Sequence, residues 1–409
     1  NNINNNNIGT RERPIRIAFL SSHLYDHSIG RTLAETIIFL NRQQYDLLPD
    51  SNSSDNHIIA LNLTVFLIDQ SITRASSLRS DPIINTFSNQ LGKRYVRLMD
   101  DIISIREILS SYELDVLIFA DLGMDFTSYA IAFSRLASLQ VAWWGHPITS
   151  GLPTVDMFFG LDIEIKEASS HYSEQLIRME RMNTIPLTQM SVPANLPSRT
   201  FFGVPENTQY AVVLGRIFKL HPSFDDIIIR ILQQAQHAYI VLIRESVTAW
   251  NNLLWDRLSD RVQTVIGEAT VGQKEMCRDI LDRVRFVPIE MYGDVLLQTR
   301  VVLDTFPYGG CVTAHDATSN GVPTVSFPSE HIRGRFMLAM YNQMNHTDLI
   351  AEDVIEYISK VVKLLTDERY YQEQSKKVLT AFHTRLHQNF FVAQEWAEYL
   401  IRQARYLTL

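Results

Sequence analysis

Short runs of β-branched and aromatic residues alternate with helix-like segments along this chain, and the alternation starts afresh halfway. In the first half the runs lie at residues 15–22, 58–68, 95–99, 115–121, 140–145 and 157–162. In the second half they lie at 210–215, 239–244, 284–288, 301–306 and 323–327. This order is typical of parallel sheets, in which a helix carries the chain back between neighbouring strands. The pattern therefore predicts two doubly wound, Rossmann-like α/β domains that face a central cleft.

Composition places the boundaries of these domains. Residues 1–13 begin with the low-complexity run NNINNNN, which cannot pack a core, so a disordered tail is expected there. The segment 185–205 is rich in proline and poor in periodicity and is interpreted as a linker. The N-terminal domain then covers 14–184 and the C-terminal domain 206–390. Apolar residues recur every 3 to 4 positions in 391–409, which predicts a final helix that packs back on the N-terminal domain.

Charge and cysteine content exclude several classes of protein. The net charge of -8 argues against a nucleic-acid binder, which needs a basic face to neutralise phosphates. Cys277 and Cys311 are the only cysteines, which is neither a disulfide framework nor a metal-ligand spacing. No apolar run reaches the ~20 residues of a membrane span. We expect no nucleic-acid or membrane partner and a location in the cytoplasm, with the nucleus as a second possibility.

A glycine pair follows the fourth strand of the second series, in LDTFPYGGCVTAHDATSNGVPTV (303–325). Gly309 and Gly310 let a ligand approach the backbone closely, and a helix is predicted to begin near Thr313. The N-terminus of a helix offers unpaired N–H groups and a partial positive charge, so this turn could seat a diphosphate. A tight connection without a ligand is the alternative reading of the same turn.

The loop after the first strand of the second series carries Arg216 and Lys219, in LGRIFKLHPSFDD (214–226). Ligands of doubly wound sheets bind where such strand ends converge, so both side chains should face the turn at Gly309 and Gly310. A lysine there could neutralise a phosphate, although a solvated surface charge is the alternative. The chain has neither G-x-G-x-x-G after its first strand nor G-x-x-x-x-G-K-[ST], which argues against a dinucleotide oxidoreductase and a P-loop NTPase.

In the first domain, SSHLYDHSIGR (21–31) follows the first strand and brings His23, His27 and Arg31 to the cleft side. His27 lies where a general base would have to lie, and a structural histidine is the alternative. Polar or glycine-rich turns also follow later strands of this domain, and such cleft-facing loops tend to carry function. They supply candidates for the acceptor or sugar side: Asp121, Asp125, His146, Pro147, Ser150 and Gly151.

Four stretches together resemble one known family. SSHLYDHSIGR, the region from DVLIFADLGMDF to WWGHPITSGLPTVD, IFKLHPSFD, and VVLDTFPYGG with its continuation to RGRFMLAMYNQM are similar to the catalytic region of the O-GlcNAc transferase and SPINDLY-type glycosyltransferases. The bacterial-type members are the most similar. The resemblance runs from residue 14 to nearly the C-terminus.

This resemblance implies an inverting, metal-independent enzyme of the GT-B fold. Such enzymes transfer a sugar from a nucleotide diphosphate to Ser or Thr, or in one branch to Asn, of a protein. UDP-GlcNAc is favoured as the donor over UDP-glucose, with GDP-fucose third, and no metal or other cofactor is expected. Many members carry tetratricopeptide repeats before the catalytic region, so such a region is expected to precede this chain.

The resemblance also implies roles for individual residues. Lys219 matches the lysine on the donor diphosphate, Thr313 a phosphate-binding hydroxyl, and Asp316 the acidic residue that accepts from the ribose hydroxyls. His27 matches the cleft histidine that is required for activity. Gly309 and Gly310 belong to the same donor turn.

Three positions depart from the family pattern. Arg216 stands where animal members have a glutamine, and Cys311 and Val312 replace a polar pair before Thr313. Loss of a hydroxyl would weaken phosphate binding by ~1 kcal/mol, which Arg216 could offset.

Three other functions stay open. They are a protein N-glucosyltransferase that uses UDP-glucose, a catalytically inactive scaffold that binds a nucleotide sugar, and a GT-B nucleotide-sugar epimerase.

Overall fold

The structure is a computed structural model, which describes residues 13–42, 45–46, 58–59, 61–69, 80–180, 182, 184, 193, 195–267, 269–387 and 391–408. The predicted tail at 1–13 lies outside these residues except for Arg13, and the predicted linker at 185–205 lies partly outside them. At the edge of the tail, Arg13 forms a two-pronged ion pair with the largely buried Asp115 at 2.6 and 2.8 Å. The folded part of the chain therefore begins by residue 13.

The first half forms a seven-stranded sheet in the order β5-β4-β1-β6-β7-β8-β9. Its elements are β1 (Ile15–Ser21), α1 (Ser28–Arg42), β2 (Tyr45–Asp46), β3 (Ile58–Ile59), β4 (Leu61–Ile68), α2 (Pro82–Leu91), β5 (Tyr95–Leu98), α3 (Ile102–Ser111), β6 (Leu114–Phe119), α4 (Phe126–Ala132), β7 (Ala137–Trp143), β8 (Met157–Leu161) and β9 (Gln175–Met179). The short strands β2 and β3 pair only with each other, antiparallel. All pairings within the seven-stranded sheet are parallel.

The second half forms a five-stranded parallel sheet in the order β12-β11-β10-β13-β14. Its elements are β10 (Tyr210–Val213), α5 (Ser223–Gln234), β11 (Tyr239–Ile243), α6 (Thr248–Ile266), α7 (Val271–Leu281), β12 (Val284–Val287), α8 (Tyr292–Gln298), β13 (Val301–Leu303), α9 (Val312–Ser319), β14 (Thr324–Val325), α10 (Phe336–Met344), α11 (Val354–Thr366) and α12 (Glu368–Ala381). The final helix is α13 (Phe391–Thr408).

Both sheets follow the same doubly wound scheme. In each, the chain builds outward from the first strand in one direction, then returns to build in the other, so the order reverses between β1 and β6 and between β10 and β13. Central strands are buried on both faces, as the continuous burial of β6 and β10 shows. The predicted α/β class with two Rossmann-like sheets is confirmed.

Every predicted strand is present. Two further strands, β2 and β9, were not predicted from the sequence. Strand β9 is an edge strand whose residues from Gln175 to Ile177 are exposed or half-buried, so its sequence lacks the apolar run that marks the central strands. Strand β2 has two residues, too few for any periodicity.

The last helix lies against the N-terminal sheet. The indole of Trp396 on α13 is fully buried, with its ring 5.8 Å from Phe19 of β1 and 5.1 Å from Phe159 of β8. Tyr399 also contacts Phe159, edge to face at 5.3 Å. The C-terminal end of the chain therefore completes the core of the first domain.

Direct contacts also join the two halves. Arg31 of α1 pairs with Asp316 of α9 at 3.2 Å, and the Arg335 guanidinium donates to the carbonyl of Ile163 at 2.8 Å. Trp144 packs against Phe336 with 4.9 Å between ring centroids. The first of these contacts holds α1 and α9 next to each other across the cleft. None of the helices in the described part of the chain has the length and apolar composition of a bilayer-spanning segment.

Candidate functional site

The two strand-order reversals bring together the loops that the sequence singled out. At the reversal of the second sheet, β10 leads into Arg216 and Lys219, and β13 leads into the turn with Gly309 and Gly310. At the reversal of the first sheet, β1 and β6 likewise lead into polar loops. Such reversals open a crevice at the carboxyl ends of the strands, where ligands of this architecture bind.

Asp304 organises the donor turn. This residue ends β13, and its fully buried carboxylate accepts hydrogen bonds from the Gly310 N–H at 2.8 Å and the Ser326 hydroxyl at 2.6 Å. A Cβ atom at Gly309 would lie 2.9 Å from this carboxylate, and one at Gly310 would clash with the Thr313 hydroxyl. Both glycines are therefore needed for close approach of the turn to its own side chains. Burial raises the pKa of Asp304 to about 6.

Helix α9 begins at Val312, directly after this turn, as predicted. No side chain caps its first N–H groups, and Thr313 makes no side-chain hydrogen bond among the described residues. Helix termini usually satisfy such groups with a capping side chain, with water or with a ligand. The start of α9 thus presents unpaired donors together with the positive end of the helix dipole.

The Lys219 ammonium lies beside the same turn. Its Nζ is 3.9 Å from the centre of the Tyr308 ring, and no carboxylate in the described part of the chain lies within ion-pair distance. Burial lowers the pKa of Lys219, and the nearby Arg216 charge lowers it further. A half-buried lysine without a carboxylate partner is stabilised by an anion that enters the site.

Neither Arg216 nor Cys311 brings an uncompensated charge to the donor turn. Two guanidinium nitrogens of Arg216 bind the buried carboxylate of Glu245, each at 2.5 Å. The expectation that Arg216 compensates for a lost phosphate contact is weakened, because Glu245 already neutralises it. Cys311 precedes α9, and burial raises the pKa of its thiol to about 12. The thiol is therefore neutral near pH 7 and adds no charge to the donor turn.

Asp316 faces the N-terminal domain in this conformation. Its carboxylate is 2% exposed, accepts from Arg31 at 3.2 Å, and accepts from the Tyr292 hydroxyl at 3.0 Å. Burial raises the pKa of Asp316, and the charge of Arg31 opposes that rise. Arg31 and Tyr292 therefore occupy both oxygens of this carboxylate. An apolar cavity between the domains adjoins this pair and is lined in part by Met182, Cys311, Val312, His315 and Met340.

His27 lies at the start of α1, on the opposite wall. The backbone N–H of Ile29 donates to its Nδ1 at 3.3 Å, in the manner of a helix cap. Because an N–H group can only donate, Nδ1 carries the lone pair and the proton of the neutral ring sits on Nε2. His27 therefore presents a hydrogen-bond donor, which fits an orienting group better than a general base.

Three candidates for the acceptor side have structural partners in this conformation. Asp125 caps α4 by accepting from the Ser128 N–H at 2.8 Å and the Ser128 hydroxyl at 2.7 Å. The His146 ring donates through Nδ1 to the carbonyl of Leu122 at 2.8 Å. Buried Ser150 donates its N–H and hydroxyl to Glu174.

Two further candidates, Pro147 and Gly151, lie in the turn after β7 and differ in exposure. Pro147 is buried, whereas Gly151 is exposed and adopts φ of 70°, a conformation that favours glycine. Gly151 donates its N–H to the Ser173 hydroxyl at 3.2 Å. These contacts indicate a role in shaping the turn.

Asp121 makes a contact of another kind. Its carboxylate is 1% exposed, and one of its oxygens contacts Nδ1 of His23. Ligand atoms of His23, Asp121 and Asp125 lie within 4.8 Å of one another. We do not assign a metal to them, since both oxygens of Asp125 already accept from Ser128 and Nδ1 of His23 is held by Asp121.

Sequence reasoning missed three partners in this site: Asp304, Glu245 and Tyr308. Only Asp304 could have been found from the sequence. It ends the apolar run of β13, and an Asp at the end of a buried strand needs hydrogen-bond donors from the turn that follows. Glu245 and Tyr308 reach Arg216 and Lys219 only through the tertiary fold.

Two facing Rossmann-like sheets, with strand ends that converge on one crevice, define the GT-B fold class, and solved structures agree. An O-GlcNAc transferase from Thermobaculum terrenum, solved as a mutant, superposes with a TM-score of 0.71 at 18% identity, over 97% of this chain and 68% of that one. Anabaena HepE, solved in complex with UDP and glucose, superposes with a TM-score of 0.54 at 11% identity, over 95% of this chain and 100% of that one.

The sequence itself is similar to plant proteins described as probable UDP-N-acetylglucosamine–peptide N-acetylglucosaminyltransferase SPINDLY. The Solanum lycopersicum protein is 20% identical over 366 residues, which cover 87% of this chain and 35% of that protein. The chain thus spans about a third of that relative's length. No protein-family model matches the chain. The expected resemblance to O-GlcNAc transferases and SPINDLY is confirmed.

Proposed function

We propose that this chain is the catalytic region of a glycosyltransferase that moves a sugar from a UDP-sugar to a protein side chain. One observation carries the proposal: an uncapped helix start, a free hydroxyl and a lysine without a carboxylate partner converge, among the described residues, at a strand-order reversal of a GT-B fold. All three are donors or cations, so the crevice is suited to a polyanion. A nucleotide diphosphate has the charge to occupy it.

The leaving group sets the chemistry. When the bond between the anomeric carbon and the β-phosphate oxygen breaks, that oxygen gains negative charge, and the site must stabilise it. Lys219, Thr313 and the first N–H groups of α9 are proposed to do so without a metal ion. Stabilisation of developing charge by such preorganised groups is commonly the largest single contribution to rate.

For the rest of the donor, Asp316 is proposed to accept from the ribose hydroxyls once Arg31 has moved away. This step couples donor entry to a change at the domain interface, because Arg31 belongs to α1 and Asp316 to α9. GlcNAc is the proposed sugar and Ser or Thr the proposed acceptor, supported by the names of the plant and bacterial relatives. Glucose is the second candidate, supported by the ligands in the Anabaena structure.

Intact-mass analysis tests the proposal. The protein is incubated with a Ser/Thr-rich peptide library and, in separate reactions, UDP-GlcNAc, UDP-glucose or GDP-fucose, while released nucleotide is measured. We expect a mass increase of one N-acetylhexosamine and UDP release that depends on peptide. UDP release without any peptide product would indicate hydrolysis or epimerisation. Tight binding of UDP without turnover of any donor would indicate an inactive scaffold.

A further inference from the structure

An imidazole–carboxylate pair stands at the strand-order reversal of the N-terminal sheet, and the proposed function above leaves it without a role. His23 follows β1 and Asp121 follows β6, which are neighbours at this reversal. Nδ1 of His23 contacts Oδ2 of Asp121, and the His23 backbone N–H donates to the Ser21 hydroxyl at 2.7 Å. Both the ring and its backbone are therefore held in one orientation.

The polar contacts of Asp121 are incomplete. Among the described residues, its buried Oδ1 atom has no hydrogen-bond partner and no Lys or Arg pairs with the carboxylate, while the nearby Ser21 hydroxyl favours its charged form. A buried carboxylate is costly unless a cation or donors compensate it. Burial raises the pKa of Asp121, and His23 opposes that rise. The imidazole of His23 is thus the main compensating group that the described residues supply.

The other ring nitrogen of His23 is available. Its side chain is 16% exposed, and Nε2 makes no hydrogen bond among the described residues. With Nδ1–H donated to Asp121, Nε2 carries the lone pair. His27 has the opposite tautomer, because its Nδ1 accepts a hydrogen bond from the backbone. The centres of the two rings lie only 4.5 Å apart.

We propose that His23, held by Asp121, is the proton acceptor in glycosyl transfer. The inference rests on the transferase function proposed above. The acceptor oxygen forms a bond to the anomeric carbon with its lone pair, and its proton passes to Nε2 of His23. The bond from the anomeric carbon to the β-phosphate oxygen breaks, and its electron pair leaves with UDP. The imidazolium that forms is stabilised by the Asp121 carboxylate and later releases the proton to solvent.

The position of the loop that carries both histidines supports His23 as the proton acceptor and His27 as a hydrogen-bond donor. Helix α1 starts directly after His27 and contacts α9, the helix that follows the donor turn, so the loop with His23 leads directly into this contact between the domains. Groups that surround His23 are Asp121 and Asp125 from the β6 side and Tyr25 and His27 from its own loop. The two carboxylates place negative charge beside the imidazole of His23.

A proton NMR experiment tests the pair itself, independent of activity. A His Nδ1–H that is donated to a buried carboxylate resonates far downfield and exchanges slowly with water. We expect one such signal in the full chain, retained in His27→Gln and lost in His23→Gln and in Asp121→Asn. Absence of the signal in the parent protein, or its survival in Asp121→Asn, would overturn the assignment.

Kinetics test the catalytic step. His23→Gln and Asp121→Asn should each slow transfer of GlcNAc to the peptide library by about 10² to 10⁴, the usual contribution of a positioned base. UDP affinity, measured by calorimetry, should change less than about threefold, since neither group touches the donor phosphates. Because the two residues act as a unit, the double variant should be no slower than the slower single variant. His237→Gln, an exposed histidine at the amino end of β11, is the matched control and should keep the parent rate.

Other outcomes have distinct meanings. A parent rate in His23→Gln would refute the base assignment, and an equal loss of UDP affinity would make His23 a donor-binding residue. Inhibition of the parent by EDTA that manganese reverses would make the cluster a metal site, again against the proposal. A parent chain without turnover of any donor would refute the proposed function together with the catalytic step, whereas the NMR signal would still report the pair.

Discussion

The two Rossmann-like sheets share one strand order and differ in the chemistry at the reversal. In the C-terminal sheet, the reversal presents a lysine, a free hydroxyl and an uncapped helix start, all suited to an anion. In the N-terminal sheet, it presents a buried carboxylate that holds an imidazole. The two sheets thus share a topology, and the loops that follow four strands give the two reversals different chemistry: we propose that one binds the leaving group and that the other takes up a proton.

Each of the two reversals contains a buried carboxylate, and the two carboxylates have different partners. Asp304 is buried and shapes a backbone turn, whereas Asp121 is buried and holds a side chain. The first accepts from a backbone N–H and a hydroxyl, and the second leaves one oxygen without a partner. A carboxylate with both oxygens satisfied fits a structural role, and an oxygen without a protein donor is open to a water or a substrate group.

Among the variants considered next, the largest effect is expected for Lys219→Ala. Removal of the cation that faces the leaving diphosphate should cost ~3 to 4 kcal/mol of transition-state stabilisation, or ~10² to 10³ in rate. We expect Lys219→Ala to retain its fold and lose transfer, and EDTA to leave the parent rate unchanged. Steady-state rates with UDP-GlcNAc, with and without EDTA, measure both effects.

Lys377 provides the control for this variant, because it is a surface lysine paired with Asp348 and Glu373. Lys377→Ala should transfer at the parent rate. A Lys219→Ala enzyme that keeps a rate close to that of the parent would contradict the assignment of the anion site to the C-terminal sheet. Loss of activity in EDTA would contradict the metal-free mechanism.

Asp304 should make stability depend on pH. Its pKa is about 6 in the folded chain against an ordinary value of 3.8, so between those values the folded state holds a proton that the unfolded state has lost. Stability should therefore fall as pH rises through this window, by about 3 kcal/mol in total. Asp304→Asn lacks this titration. Urea unfolding at a series of pH values should show the two curves diverging between about pH 4 and pH 6, and parallel curves would refute the assignment.

His27 should affect turnover and leave donor affinity nearly intact. As a hydrogen-bond donor near the reacting centre, it is expected to contribute about 10² in rate. His27→Ala should lose that factor in kcat, with UDP affinity by calorimetry close to that of the parent. An equal loss of affinity would move His27 from the reacting centre to the donor site. A loss as large as that of His23→Gln, with a shared pH profile, would merge the two histidines into one unit.

The smallest effect is expected at the ion pair that bridges the domains. Arg31→Gln should lower the free energy of unfolding by about 1 kcal/mol near neutral pH, because Arg31 is partly exposed and solvent screens the pair. The loss should shrink at lower pH, since burial raises the pKa of Asp316 and protonation then removes the need for a cation. Arg42→Gln, at the other end of α1, is the control: it removes an exposed contact to Gln90 within the same domain and should cost at most about 0.5 kcal/mol. Equal losses in both variants would show that the interdomain pair has no special role.

Several elements of the fold and site could be read from local patterns. Apolar runs marked every central strand, and the glycine pair before α9 marked a close backbone approach. The edge strand β9 was not predicted, because its half-exposed residues do not form a continuous apolar run. The role expected of Arg216 was weakened by Glu245, which follows a different strand and is adjacent only after β10 and β11 pair.

Local chemistry along the chain determined which segments become strands, where helices start and which residues are available for a polyanion, because these depend on neighbours within a few residues. Pairings between distant segments were decided by the tertiary structure: Arg31 with Asp316, Lys219 with Tyr308, and His23 with Asp121. Whether a histidine serves as donor or acceptor depends on the partner of one ring nitrogen. That partner is Ile29, two residues away, for His27, and Asp121, almost a hundred residues away, for His23. Only the pairing of β1 with β6 brings the second contact within hydrogen-bond distance.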